Sequence, residues 1–171
     1  MTDRTAPDAV FRIPALSLVV LVGPSGAGKS SFARKHFRPT EVLSSDACRG
    51  LVSDSENDQS VTREAFDVLQ YVAARRLALG RLTVVDATNV QPESRRPYVA
   101  LAKQFHVIPV AIVLDLPAGV CQARNRDRAD RAFSPHVVKA HCEQLRRSLK
   151  QLQREGFRHV RVLSSVEEVD A

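Results

Sequence analysis

Residues 16–30, LSLVVLVGPSGAGKS, contain the pattern from which the architecture of this 171-residue chain can be predicted. The apolar run that begins at Leu16 is short and rich in valine, which is typical of a strand buried on both faces, and such strands are mostly parallel. The run ends at Gly23, and a helical segment follows from about Lys29 to Phe37. The stretch therefore predicts a strand, a glycine-rich loop and a helix in immediate succession.

The loop at residues 23–30 matches G-x-x-x-x-G-K-[ST] at every fixed position. Glycines let the backbone wrap closely around a polyphosphate, and the N–H groups at the helix start face its oxygens. Lys29 would place a positive charge on the β- and γ-phosphates, and the Ser30 hydroxyl can ligate Mg²⁺. The loop does not distinguish phosphoryl transfer from hydrolysis or from a nucleotide-driven switch. The predicted nucleotide-binding residues are Gly23, Ser25, Gly26, Ala27, Gly28, Lys29, Ser30 and Ser31.

Strands and helices alternate along the rest of the chain. Short apolar runs predict strands at residues 41–44, 82–86, 107–114 and 159–163. Apolar periodicity and end signals predict helices at residues 62–79, 93–105, 117–131 and 135–155, and a last short helix or turn at residues 166–170. This order predicts a three-layer α/β/α fold of the P-loop NTPase type, with a mainly parallel sheet of about five strands. We expect residues 1–14 to be a flexible lead-in and residues 15–171 to form a single domain.

Composition excludes several other classes of protein. Three cysteines are too few and too scattered for a disulfide scaffold, and they lack the Cys-x-x-Cys spacing of zinc sites. No apolar run reaches the roughly 18 residues that span a bilayer, and the first residues do not resemble a signal peptide. We therefore expect a soluble, cytoplasmic protein without membrane partners. The net charge of +6 is consistent with a polyanionic partner.

Two acidic residues follow predicted strands, Asp46 after the second and Asp86 after the third. Ligands of open α/β sheets bind beyond these strand ends. Phosphoryl transfer to a hydroxyl needs one carboxylate to orient the nucleophile and accept its proton, and a partner for Mg²⁺ or its waters. The two acids could divide these tasks, although the sequence does not assign them, and each could instead cap a helix.

Arg49 lies three residues after Asp46, so a helical turn would place both side chains on one face. A carboxylate and a guanidinium beside the acceptor would suit an acceptor that itself carries phosphate. A local ion pair without function is the alternative.

An arginine-rich stretch at residues 121–131, CQARNRDRADR, follows the fourth predicted strand. On one continuous helix, Arg124, Arg128 and Arg131 would share a narrow face, with Arg126 opposite. Aligned guanidinium groups repel one another unless an anion lies between them, and arginine suits multidentate phosphate contacts. We expect a helical lid whose arginines close on the donor phosphates. A solvated charged face is the alternative.

Four motifs together resemble P-loop polynucleotide 5′-kinases: the loop at residues 23–31, Ser-Ser-Asp-x-x-Arg at 44–49, Val-Asp-Ala-Thr-Asn at 85–89 and the arginine-rich stretch. The chain is similar over residues 14–170 to the N-terminal kinase module of bacterial polynucleotide kinase–phosphatases, which heal broken RNA ends. The resemblance implies that Asp46 is the general base and that Arg49 binds the phosphate on the 3′ side of the terminal nucleotide. It also implies catalytic roles for Lys29, Arg124 and Arg128, donor binding by Arg131, and Mg²⁺ binding by Ser30 and, through water, Asp86.

The resemblance implies a transferase that moves the γ-phosphate of ATP or another NTP to the 5′-hydroxyl end of RNA or DNA, with Mg²⁺, as one module of a larger repair protein. A P-loop kinase for a small metabolite or nucleotide is the alternative, and a nucleotide-dependent switch is a third. Preference for RNA or DNA, the NTP used and the oligomeric state stay open. With no tryptophan and only two tyrosines, the chain has no aromatic cluster for base stacking, and we expect recognition mainly of the backbone.

Overall fold

The computed structural model describes residues 10–128 and 133–171. Five strands occur there: β1 (Ser17–Val22), β2 (Val42–Ser44), β3 (Thr83–Asp86), β4 (Ile108–Leu114) and β5 (His159–Leu163). The α-helices are α1 (Lys29–His36), α2 (Ser45–Ser53), α3 (Thr62–Ala78), α4 (Pro92–Gln104), α5 (Ala118–Arg126), α6 (Pro135–Ser148), α7 (Leu152–Glu155) and α8 (Val166–Asp170). None of the helices in these two ranges is long and apolar enough to cross a membrane.

The five strands form one sheet in the order β2-β3-β1-β4-β5, and every pairing is parallel. β1 lies at the centre, where Val19 pairs with Val84 of β3 on one side and with Val110 of β4 on the other. All six residues of β1 are buried, as expected of a parallel strand covered on both faces. The predicted parallel α/β sheet is therefore confirmed, and the glycine-rich loop leaves it from the middle.

Two hydrophobic clusters cover the two faces of the sheet. Leu18 and Val20 belong to the first cluster, which includes residues of α3, α4 and α6. Val19 and Leu21 belong to the second, which includes residues of α1, α5 and α8. Successive side chains of a strand point to opposite faces, so β1 contributes to both clusters. This arrangement confirms the predicted three layers.

A buried ion pair joins α4 to α7 beneath the first face. The guanidinium of Arg95 is fully buried and donates through Nε and Nη2 to the carboxylate of Glu155, at 2.9 and 2.8 Å. Its Nη1 donates to the carbonyl oxygen of Asn89 at 2.8 Å. These three bonds connect α7 to the segment that follows β3.

The arginine-rich stretch is not one continuous helix. α5 ends at Arg126, and the predicted sharing of one helix face by Arg124 and Arg128 is wrong because Arg128 lies beyond the helix end. Beyond the helix end, Asn125 holds the returning chain, since its Nδ2 donates to the carbonyl oxygen of Phe133 at 2.6 Å and its Oδ1 accepts from the Phe133 N–H at 3.2 Å. These bonds bring the chain back toward α5. The predicted donor-binding residue Arg131 lies outside the described residues.

The predicted lead-in is only partly described, because residues 1–9 lie outside the described range. Phe11 and Ile13 have no regular secondary structure but pack against the second hydrophobic cluster. This part of the predicted lead-in is therefore attached to the core rather than loose.

Candidate active site

The glycine-rich loop at residues 23–30 bends between β1 and α1 in a way that requires glycine. Gly26 and Gly28 have φ angles of 84° and 93°, in the left-handed region that glycine adopts without strain. A Cβ atom on Gly26 would overlap the carbonyl oxygen of Cys121. The glycine therefore lets α5 pack directly against the loop.

Lys29 is the first residue of α1, and its side chain folds back over the loop. Its Nζ donates to the carbonyl oxygens of Gly23 and Pro24, both at 2.9 Å. Burial lowers the pKa of Lys29 to about 8, a shift that the charge of Asp86 opposes and that of Arg128 supports. The ammonium is thus a poorly solvated cation, to which an anion would be strongly attracted.

Ser30 and Asp86 form an oxygen pair next to Lys29. The Ser30 hydroxyl donates to Oδ2 of Asp86 at 2.7 Å, because β3 ends at Asp86 beside the start of α1. A hydroxyl and a carboxylate suit Mg²⁺, which is usually bound through one or two carboxylates together with substrate phosphates. The described residues contain no group of three acidic, histidine or cysteine side chains that could hold a metal alone. The pair therefore fits a Mg²⁺ ion that is bound jointly with a nucleotide.

Asp46 and Arg49 form an ion pair in α2, as their spacing predicts. Nη1 of Arg49 donates to Oδ1 of Asp46 at 2.7 Å, and its Nε and Nη2 both lie 3.4 Å from Oγ1 of Thr62 in α3. The N-cap of α2 is Ser44, whose hydroxyl accepts from the Ala47 N–H at 3.3 Å. Asp46 is therefore not the N-cap residue of its helix.

Two adjoining clefts, of about 550 and 560 Å³, meet beside these side chains. The first, the P-loop cleft, runs along the loop and past Arg49, Thr62 and Phe66. The second lies against Pro39 and Asn57. Both clefts are lined by Ser30, Arg34, Asp46, Asp86 and Arg128. The structure thus places Asp46, Asp86 and the phosphate-binding loop around the same cleft. We call the region where the two clefts meet the shared space.

The described arginines of the predicted lid, Arg124 and Arg128, both lie near the loop. Arg124 on α5 lies against Gly28, where an added Cβ would be 3.1 Å from its Nη1, and its Nη2 lies 3.3 Å from the Asp170 carboxylate of α8. Arg128 follows the end of α5 and lines both clefts. Arg126, expected on the opposite side, is exposed.

Sequence reasoning missed three side chains beside the loop: Asn125, His141 and Asp170. The Ser25 N–H donates to Nδ1 of His141 at 3.4 Å, and the Ser25 hydroxyl to Oδ1 of Asn125 at 3.4 Å. Burial, and then the charge of Lys29, lower the pKa of His141, which favours the neutral ring that can accept this bond. No sequence motif assigns these residues to the loop, although Asn125 lies within the arginine-rich stretch, because they reach the loop through the packing of α5, α6 and α8.

Comparisons with known proteins agree with this architecture. A family model described as an AAA domain matches residues 18–152. The chain is 30% identical over 128 residues to Transcription factor bHLH140 of Arabidopsis thaliana. The matched region makes up 74% of this chain but only 13% of that protein.

Solved structures show the same fold at lower identity. One chain in the Pnkp1/Rnl/Hen1 RNA repair complex superposes with a TM-score of 0.69 and 21% identity, over 86% of this chain and 49% of that chain. The APS kinase CysC of Mycobacterium tuberculosis, in complex with AMPPNP and APS, has a TM-score of 0.51 and 21% identity, over 82% of this chain and 99% of that chain. The predicted P-loop NTPase-type α/β/α fold is confirmed.

Proposed function

This chain belongs to the AAA domain family, and from its P-loop kinase fold and its site we propose that it is a 5′-hydroxyl polynucleotide kinase. It would transfer the γ-phosphate of ATP or another NTP to the 5′-hydroxyl end of RNA or DNA, in the presence of Mg²⁺. We further propose that residues 15–171 act as one kinase domain of a larger cytoplasmic repair protein. The chain spans about half of the matched chain in the RNA repair complex.

The ion pair of Asp46 and Arg49 at the shared space carries this proposal. The Asp46 carboxylate lines the same cleft as Lys29 and Ser30, as a base acting on the acceptor would have to do. In the proposed step, the acceptor hydroxyl oxygen forms a bond to the γ-phosphorus, and the bond from that phosphorus to the β–γ bridging oxygen breaks. Asp46 accepts the hydroxyl proton, and the nucleoside diphosphate leaves.

The donor side is assigned to the loop and the lid. Backbone N–H groups of residues 23–31 and the Lys29 ammonium would bind the phosphates, and Arg124, Arg128 and Arg131 would stabilise the charge of the transition state. Ser30 and Asp86 would hold Mg²⁺, which when bound supplies positive charge to the β- and γ-phosphate oxygens.

Arg49 favours a phosphate-bearing acceptor over a neutral metabolite. Its side chain is buried and fixed by Asp46 and Thr62, so a cation of fixed position lies directly beside the proposed base. An arginine so placed suits a phosphodiester next to the reacting hydroxyl. A small-metabolite kinase is the second candidate, because the chain also covers 99% of an APS kinase.

Transfer of labelled γ-phosphate tests the proposal. We expect labelling of an oligonucleotide with a 5′-hydroxyl and none of the same oligonucleotide with a 5′-phosphate. Labelling of free nucleosides or metabolites alone would favour the second candidate, and NTP hydrolysis without transfer would favour a switch.

Two substitutions separate donor binding from base catalysis. Lys29→Ala should abolish transfer and greatly weaken NTP binding, because the phosphates lose their buried cation. Asp46→Asn should abolish transfer but leave NTP binding close to normal, whereas Asp67→Asn, at an exposed acid of α3, should change neither. Near-normal turnover by Asp46→Asn would overturn the assignment of the base.

A further inference from the structure

One phenylalanine differs from the others in its surroundings. All seven lie in the described part of the chain. Six belong to, or pack against, the two hydrophobic clusters: Phe11, Phe32, Phe37, Phe105, Phe133 and Phe157. Phe66 is not among the side chains of either cluster, although it is half-buried, and it lines the P-loop cleft. Part of the Phe66 side chain is therefore open to the cleft.

The groups next to Phe66 connect it to the proposed acceptor site. Thr62 lies four residues earlier on α3, one helical turn away on the same face. The Thr62 hydroxyl oxygen accepts from Arg49, which in turn donates to Asp46. An aromatic ring, a hydroxyl, a guanidinium and a carboxylate therefore follow one another along one wall of the cleft.

This order corresponds to the parts of a terminal nucleotide. The 5′-hydroxyl belongs at Asp46 and the 3′-phosphate at Arg49, under the function proposed above. The base extends from the same sugar, and the next group along the wall, beyond Thr62, is the ring of Phe66. A flat apolar ring that lines a cleft is suited to stacking with a base, whatever the sequence, because every base has a π-face.

Other aromatic side chains fit this role less well. Tyr98 is only 1% exposed, and Tyr71, 67% exposed, does not line the cleft and instead stacks with Arg75 at 5.6 Å. Phe133 lines the cleft but packs against the second cluster and the ring of His141, on the loop side. Among the described aromatic side chains, Phe66 thus fits best on the cleft wall that carries Asp46 and Arg49.

We propose that Phe66 is a specificity-determining residue on which the base of the 5′-terminal acceptor nucleotide stacks. The inference rests on the proposed function and extends it. Recognition then includes a base as well as the backbone, and an acceptor that lacks a flat ring loses this contact.

The test compares two 5′-hydroxyl oligonucleotides that differ only at the first residue, which carries a base in one and is abasic in the other. The wild-type protein should use the substrate with a base with a kcat/KM roughly tenfold higher, in line with the usual effect of one stacking contact. Phe66→Leu keeps an apolar side chain but removes the ring, so its preference should fall to about twofold or less, through loss on the base-bearing substrate alone.

Controls separate this effect from misfolding and from failure of the proposed function. Tyr71→Leu removes an aromatic ring from the same helix outside the cleft, and it should keep the wild-type preference. The KM for ATP and the melting temperature of Phe66→Leu should match the wild type. Labelling of neither oligonucleotide by the wild type would overturn the proposed function and this inference with it. Labelling of both, with equal preference in wild type and Phe66→Leu, would overturn the stacking role alone.

Discussion

Lys29 is a buried cation whose ionisation should govern nucleotide affinity. Burial lowers its pKa to about 8, and a bound triphosphate would raise that pKa again by favouring the charged form. Binding then takes up a proton whenever the pH exceeds about 8. We expect the Kd for ATP to be nearly constant below this pH and to rise about tenfold per pH unit above it.

Titrations of ATP binding between about pH 7 and about pH 9.5 would measure this dependence. Lys29→Arg keeps a permanent charge at the position, because the pKa of arginine lies above this range. The Kd of the Lys29→Arg variant for ATP should therefore not rise above about pH 8 as the wild-type Kd does. A wild-type Kd that stays constant to the upper limit would show that the ammonium remains charged throughout.

The residues of the site were predictable to the extent that short-range sequence determines their positions. Lys29 and Ser30 belong to a contiguous loop, and Asp46 and Asp86 each follow a strand, so local patterns indicate where they lie. His141 and Phe66 were not predictable as site residues, because each reaches the cleft from a helix whose position depends on tertiary packing. Only the structure shows that Phe66 lies outside both hydrophobic clusters.

Helix α5 provides a test of the lid at the scale of one element. The ion pair of Arg124 with Asp170 is substantially exposed, so it contributes little to stability. Arg124→Ala should slow transfer by about a hundredfold or more through lost stabilisation of the transition state, while the melting temperature changes by no more than about 2 °C. Arg126→Ala, on the exposed side of the same helix, should change neither quantity. A large fall in melting temperature for Arg124→Ala would identify the arginine as structural.

The contact between α4 and α7 should be important for stability rather than for catalysis. Arg95→Met would leave Glu155 without its buried partner and remove a donor from the Asn89 carbonyl. We expect the free energy of unfolding in urea to fall by about 3 kcal/mol. Arg96→Met, at the exposed neighbouring position, should change it by less than about 0.5 kcal/mol. Equal effects of the two substitutions would contradict the structural role of the buried pair.

Element boundaries could be predicted closely where periodicity and end signals agree. The predicted strand at residues 159–163 coincides with β5, and residues 166–170, predicted to be a short helix or turn, form α8. The helix through the arginine-rich stretch was predicted too long, because nothing in its local sequence indicates that Asn125 binds the backbone of Phe133.

Over the whole molecule, the net charge of +6 should strengthen attraction to long acceptors. Each phosphate that the protein neutralises releases counterions, so affinity falls as salt rises. We expect kcat/KM for a long 5′-hydroxyl oligonucleotide to fall roughly tenfold between about 50 and 200 mM salt at constant Mg²⁺, and that for a dinucleotide to fall less. Equal salt dependence at both lengths would show that contacts beyond the first phosphate do not contribute.

The sheet order separates the two halves of the proposed reaction. The phosphate-binding loop extends from the central strand β1, whereas Asp46, Arg49 and Phe66 lie on the helices that follow the edge strand β2. An edge strand such as β2 pairs with one neighbour, whereas the central strand β1 pairs with two, so we expect changes near β2 to disturb the sheet less. Under the proposed function, we therefore expect that substitutions on the cleft side of α2 and α3 can change which acceptor is used while the nucleotide-binding loop stays the same.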